Sequence, residues 1–445
     1  MRARLAALAV LLTSVPAAAV AAPGVPCSFY GMNAGAPVSQ GEILLDEALA
    51  KEIADAGAGV VRVNFRLDGA SSWDEAKLEE YDAIIDAVRA AKLEPVGLLA
   101  YEAVVGGQGE WNDDADGDGL NDYVDRFAGT SQVLFEHFKG RVRRWEVWNE
   151  PNCWSSPDYA TDPQNAGCTY LLPRVFSKAM AEVFVRNEPL FAAGSVSMIS
   201  GGLLAHDIGG VASPATDYLE EVYADGVWDW LQANTGRRYP WDRLGYHLYV
   251  DQGVETDGAA ISAYLAAVRD VAGQRGDAAR FSITEIGWTT IGVTEDIQAA
   301  NLTAALELLS ARADVADAHW FSFRDAQGSD LYFGLTTEGG APKLALAAMQ
   351  EAAEGCEGSG EGGGGQGGGT GESTASGGIN QGPGPSGEYG PIRDEQRESS
   401  CSCEAAGAGG RARGTAWIAL LAGAALAWRG ARRSQRSQRA TAKAR

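Results

Sequence analysis

An α/β barrel of eight strands, each followed by a helix, is the fold this sequence predicts, and three observations predict it. Between Ser28 and about Ala353 short apolar runs alternate eight times with amphipathic stretches, the pattern of a parallel sheet wrapped by helices. Eight such units in roughly 330 residues match a (β/α)8 TIM barrel, ~250 residues at its usual size, enlarged by insertions. Polar residues recur at the C-terminal ends of the runs: Asn33, Arg62, Asn149, Glu150, His247, Tyr249, Glu285 and Arg324. A barrel builds its site from many strand ends, whereas a doubly wound open sheet, the alternative, gathers it at one switch point.

In chain order the strands are read as SFYGMN from Ser28, GVVRVNF from Gly59, EPVGLLAY from Glu94 and RRWEVWNE from Arg143. The second half supplies LFAAGSVSM from Leu190, RLGYHLYV from Arg243, RFSITEIGW from Arg280 and DAHWFSFRD from Asp317. Helical periodicity is explicit between some of them. Leu78, Tyr81, Ile85 and Val88 recur on one face, as do Leu302, Leu306 and Leu309.

Outside this region the chain changes character. Residues 1–22 read as a secretory signal, with Arg2 and Arg4, an apolar run from Leu5 and small residues at Ala19–Ala22. The barrel domain is placed at 23–356. Of the 57 glycines, 17 lie between Gly355 and Gly390, so 357–400 reads as a Gly/Ser/Pro-rich flexible linker. Residues 401–445 hold Cys401 and Cys403, an apolar anchor helix from Thr415 to Trp428, and an Arg-rich end. This layout resembles the C-terminal sorting tails of myxobacterial surface proteins, which implies an exported protein kept at the cell surface, its tail engaging membrane or sorting machinery. A plain single-pass anchor with arginines on its cytoplasmic side fits the same residues.

Composition narrows the function. Thirty-six basic against 59 acidic residues give a net charge of −23, which argues against a nucleic-acid partner. Six cysteines without a CxxC spacing and four scattered histidines argue against zinc and for an oxidised, exported chain. Cys153–Cys168 and Cys27–Cys356 are the pairings the spacing suggests, out of three connectivities open to four cysteines. Outside the glycine-rich stretch no GxGxxG occurs, and no P-loop or GxSxG occurs anywhere.

The segment Trp145-Glu146-Val147-Trp148-Asn149-Glu150-Pro151-Asn152 ends the fourth strand, and Phe281-Ser282-Ile283-Thr284-Glu285-Ile286-Gly287-Trp288 ends the seventh. Together they resemble glycoside hydrolase clan A, closest to its cellulase-like and β-xylosidase-like members. The resemblance implies Glu150 as acid/base with Asn149 beside it, and Glu285 as nucleophile of a retaining double displacement. It also implies Arg62 as the arginine that keeps the nucleophile ionised, Tyr249 as donor to the nucleophile, His247 in the sugar site, and Trp320 as the aromatic floor. Trp288, with Trp154 and Trp111, is expected on rim loops where rings stack on sugars. Independently of any family, glycoside cleavage needs one carboxyl kept protonated and one kept ionised. Glu146, four residues before Glu150, lacks the matching context. The expected substrate is a β-linked poly- or oligosaccharide, the expected state a monomer, and no cofactor is required for catalysis. A carbohydrate-binding barrel without turnover is the alternative.

One segment falls outside the resemblance. Asp114, Asp116, Asp118, Asp122 and Asp125 place oxygens at positions 1, 3, 5, 9 and 12 with Gly119 at 6, as in a Ca²⁺ loop, although Asp125 stands where a bidentate Glu is usual. A solvated acidic loop capping a helix that starts near Asn121 explains the same residues.

Overall fold

The computed structural model describes residues 24–153, 169–205, 215–326 and 331–357. Eight parallel strands close into a barrel: β1 (Tyr30–Asn33), β2 (Val60–Phe65), β3 (Glu94–Leu99), β4 (Arg144–Asn149), β5 (Ser197–Ala205), β6 (Arg243–Leu248), β7 (Arg280–Ile286) and β8 (Val315–Trp320). Each strand pairs with its neighbour in chain order, and β1 completes the ring by pairing Gly31 with His319 of β8 and Asn33 with Arg62 of β2. One helix after each strand forms the outer layer: α1 (Glu47–Asp55), α2 (Glu75–Ala90), α3 (Asp122–Phe138), α4 (Pro173–Arg186), α5 (Ala215–Ala224), α6 (Ala259–Gln274), α7 (Glu295–Ser310) and α8 (Leu344–Ala353).

The helices start where their sequences provide caps. Asp46, Asp74 and Asn121 each accept the backbone N–H three residues on, at 2.9, 3.0 and 2.8 Å. The face read on α2 is the one buried, by Tyr81, Ile85 and Val88, with Leu78 packed at its margin. On α7 the expected Leu302, Leu306 and Leu309 are likewise buried. Between strands and helices lies the apolar core. Trp145 of β4 fills it between Phe65 and Phe135, both at 4.7 Å between ring centroids, and Gly97 of β3 leaves room for the indole, which a Cβ there would approach to 2.4 Å.

Strand five corrects the sequence reading. Leu190 and Phe191 belong to a short helix, Glu188–Ala192, opened by Pro189 at its first turn, and β5 runs from Ser197 to Ala205. The Gly201-Gly202 pair inside it reads as a breaker, but it lies where strand and site need space. A Cβ on Gly202 would sit 2.1 Å from His247 Nε2 and 2.8 Å from Glu146 Oε1.

The Cys27–Cys356 disulfide joins the ends of the barrel domain, 329 residues apart, with Cα atoms 5.0 Å apart. Backbone bonds flank it: Cys27 N donates to Glu357 O at 3.1 Å and Glu357 N to Val25 O at 2.9 Å. Cys356→Ser is expected to cost on the order of 2–5 kcal/mol, read as a lowered denaturation midpoint; an unchanged midpoint under oxidising conditions would remove this role. Cys153 is buried, while its expected partner Cys168 lies outside the described residues, as do Trp154, the signal, the linker and the tail. Among the described residues no helix is long and apolar enough to cross a membrane.

Candidate active site

The two carboxylates singled out by sequence converge at the C-terminal rim. Glu150, just past β4, and Glu285, near the end of β7, are 5% and 7% exposed. One oxygen of each and a ring nitrogen of His247 all lie within 4.8 Å of one another. Strand alternation places Glu150 on the same face as Glu146, but the backbone between them is not regular strand. Trp148 has φ +74° and Glu150 φ +47°, left-handed backbone that costs about 1–3 kcal/mol at a residue with a Cβ. The turn at Trp148 sends its ring outward among Trp111, Tyr123 and Phe127, with its indole N–H donating to Thr169 O at 2.7 Å. Glu150 is then held by its backbone: its N–H donates to Gly202 O at 3.0 Å, and its carbonyl accepts from Cys153 N at 2.8 Å and Thr169 Oγ1 at 3.0 Å.

Arg62, midway along β2, joins the parts. Its Nη1 donates to Glu285 Oε1 at 2.6 Å and to Asn33 Oδ1 at 3.0 Å, its Nη2 to Asn149 Oδ1 at 2.8 Å, and its Nε to Glu146 Oε2 at 2.5 Å. Tyr249 donates its hydroxyl to the other Glu285 oxygen. His247 sets Nδ1 2.9 Å from Glu150 Oε1 and Nε2 3.1 Å from Thr284 Oγ1. Arg62, Asn149, His247 and Tyr249 are thus all gathered around the carboxylates, His247 against the acid/base candidate itself.

Burial drives the electrostatics. It pushes the Glu150 carboxyl up, against the opposing pull of His247. Burial would also raise Glu146, but Arg62 and His247 outweigh it and hold that carboxyl at about 2. On His247 burial disfavours the cation, yet Glu285, Glu146 and Glu150 hold the ring at about 9. Arg62 likewise loses by burial and gains more from Glu146 and Glu285, so its proton is held more tightly than usual.

The tryptophans depart from expectation. Trp320 and Trp288 are each 1% exposed and packed together at 6.0 Å, with the Trp320 indole donating to Phe333 O at 3.0 Å. Trp111 is 4% exposed within the cluster around Trp148. Phe321, the residue after β8, is half-buried and stands edge-on to the Tyr249 ring at 6.1 Å. Arg324 points away and pairs with Glu52 on α1 at 2.6 Å. Glu146, set aside on sequence, is fully buried at the centre of the network.

In the acidic loop, oxygens of Asp114, Asp116 and Asp118 lie within 4.8 Å of one another. Asp122 and Asp125 sit in the first turn of α3, capped by Asn121, where Asp125 pairs with Arg186; Asp114 pairs with Arg174. Three of the five expected oxygens are therefore together.

No family model matches the chain, and no curated protein matches it in sequence. Its barrel is similar to a GH5-4 broad specificity endoglucanase from Clostridium longisporum, at 12% identity over 75% of this chain and 99% of that one, with a TM-score of 0.53. A family 39 glycoside hydrolase from the gut symbiont Bacteroides cellulosilyticus aligns at 17% identity and a TM-score of 0.49, over 74% of this chain and 64% of that one. This chain spans less than two thirds of the length of that second protein. At such identities the likeness shows the barrel fold.

Proposed function

We propose that the protein is a retaining glycoside hydrolase acting on β-linked glycans. The observation that carries the reading is the buried Glu150–Glu285 pair, one environment favouring the protonated acid and the other bonding a carboxylate from two sides. Oxygens within 4.8 Å fit the ~5–5.5 Å carboxyl separation of retaining enzymes better than the ~6.5–9.5 Å that leaves room for water. The endoglucanase with the similar barrel is in keeping with a β-glycan substrate.

In this mechanism Glu285 attacks the anomeric carbon while Glu150 gives its proton to the departing glycosidic oxygen, so the C–O bond breaks as the glycosyl–Glu285 ester forms. Glu150, now a carboxylate, takes a proton from water, whose oxygen attacks the same carbon and releases Glu285. Arg62 and Tyr249 fix both Glu285 oxygens throughout. The test is a screen of the barrel domain on a panel of β-linked polysaccharides and aryl β-glycosides, with NMR of the first-formed anomer. A β-anomer from a β-linked substrate is expected. An α-anomer rejects retention, and binding without turnover supports the non-catalytic alternative.

Two expectations stay with this reading as proposals. One Ca²⁺ is bound by Asp114, Asp116 and Asp118, with Asp122 and Asp125 closing the set. At a dissociation constant of ~10⁻⁴–10⁻³ M, 10 mM calcium should stabilise by about 1.4–2.7 kcal/mol; a melting temperature indifferent to calcium and chelator counts against it. The residues from Cys401 onward retain the exported protein at the cell envelope. Deleting everything after Glu357, which spares the Cys27–Cys356 disulfide, should release the barrel into the medium, and an unchanged cell-bound fraction rejects that role.

A further inference from the structure

We infer that Glu146 is a positioning residue that decides where the Glu150 proton points, acting through Thr284 and His247, while the same carboxylate seats Arg62 against Glu285. The kinetic consequence rests on the glycosidase reading; the geometry does not.

Glu146 is fully buried, and both of its carboxylate oxygens are hydrogen-bonded. Oε2 accepts from Arg62 Nε at 2.5 Å. Oε1 accepts from Thr284 Oγ1 at 2.9 Å and from Gly202 N at 3.0 Å, and lies 3.4 Å from His247 Nε2. A threonine hydroxyl has one proton. Since Thr284 gives it to Glu146, only its lone pairs face His247 Nε2 at 3.1 Å, and Nε2 must carry a hydrogen. The state of Nδ1, 2.9 Å from Glu150 Oε1, is then the one variable left. A neutral ring would accept from Glu150 and draw its acidic proton inward, away from substrate. An imidazolium donates to Oε1 instead, and leaves the Glu150 proton on Oε2, free to reach a glycosidic oxygen.

The groups around the ring favour the second state. Glu146 faces it from β4 and Glu150 from just past that strand, Glu285 from β7 at 3.8 Å, and Tyr249 follows just beyond β6. Arg62 on β2 opposes them, but it is engaged by Glu146 and Glu285. His319 on β8 is buried and held at about 4 by that burial, so it stays neutral. Of these carboxylates Glu146 is the one that is ionised throughout the reaction, because Glu150 gains and loses a proton and Glu285 becomes an ester. The missing side chain of Gly202 is what lets Glu146 and His247 approach.

The chain has four histidines, so the imidazole ¹⁵N shifts of His247 can be followed from pH 5 to 10 in the intact protein. In the native chain His247 should be doubly protonated at pH 7.5. In Glu146→Gln, isosteric but uncharged, its titration should fall below about 7, near the ordinary range. Activity should follow: kcat/KM on substrates with poor leaving groups should drop roughly 10²-fold further than on activated aryl glycosides, which need no proton. Thr284→Val, which keeps the charge and cuts the relay, should lower the titration as well and covers the case that Glu146→Gln does not fold. A His247 titration unchanged in the folded variants overturns the inference. Inactivity of the native protein on every glycoside overturns the glycosidase reading alone, since the imidazole shifts are read without substrate.

Discussion

Glu285→Ala is expected to lose nearly all turnover, roughly 10⁴-fold or more of the acceleration a glycosidase provides, while the barrel stays folded. The native carboxylate accepts from Arg62 and Tyr249 at its two oxygens, so its removal opens a small polar gap lined by donors. A small anion such as azide or formate fits that gap and can attack the anomeric carbon from the nucleophile's side. Partial rescue with an inverted product should therefore appear in the variant and be absent from the native enzyme. Glu150→Ala should behave differently. A good leaving group departs without a proton, so ester formation on activated substrates survives, while natural glycans lose the general-acid contribution of about 10²–10⁴-fold. The pH profile follows from the sign of the shift. Burial raises Glu150, so the acid form persists above the usual carboxylate range, and activity falls as pH rises through that value. Wild-type turnover in both variants would show that these residues are not the catalytic pair.

Arg62→Met, similar in volume, carries the second large effect, on stability as well as rate. Arg62 bonds both buried carboxylates, at 2.5 and 2.6 Å, while His247 stands farther from each, at 3.4 and 3.8 Å. Without it Glu146 and Glu285 remain buried with only His247 to compensate, a loss of about 3–5 kcal/mol by comparison with other broken buried pairs. The pH dependence has a definite sign. Glu146 sits at about 2 when folded against about 4.5 when free, so the stability it contributes is complete above about 4.5 and fades as pH falls toward 2. The difference between native and variant denaturation midpoints should therefore be full at pH 7 and shrink on acidification. A gap of constant size from pH 7 to 3 would show that Arg62 acts through packing.

The barrel and its two principal carboxylates were legible because each depends on contiguous chain: apolar runs, helical stripes, and short motifs at the ends of β4 and β7. Glu146 was not, because its importance comes from β2, β5, β6 and β7 meeting inside the barrel, and nothing around it in β4 announces those partners. The reversal of alternation at Trp148 also hides it, since period-2 counting places Glu146, Trp148 and Glu150 on one face, whereas Trp148 turns out. β5 was misplaced for a related reason. The apolar start read for it, Leu190 and Phe191, belongs to a helix, and the strand itself holds Gly202, whose missing side chain leaves room for His247. The aromatic that packs on Tyr249 escaped by one residue, Phe321 and not Trp320.

The Cys27–Cys356 clasp has a mechanical meaning. Tension applied from the C-terminal side reaches Cys356 first, and without the disulfide it would run into α8 and unzip that helix turn by turn. With the bond in place part of the load crosses to Cys27 and enters β1 at its N-terminal end, along the strand axis. β1 is hydrogen-bonded on both edges, to β2 and to β8, so it resists in shear, with its bonds strained together instead of one after another. A pulling experiment should show a higher rupture force for the oxidised barrel than for the reduced one. The barrel would then keep its shape, and its rim, under load.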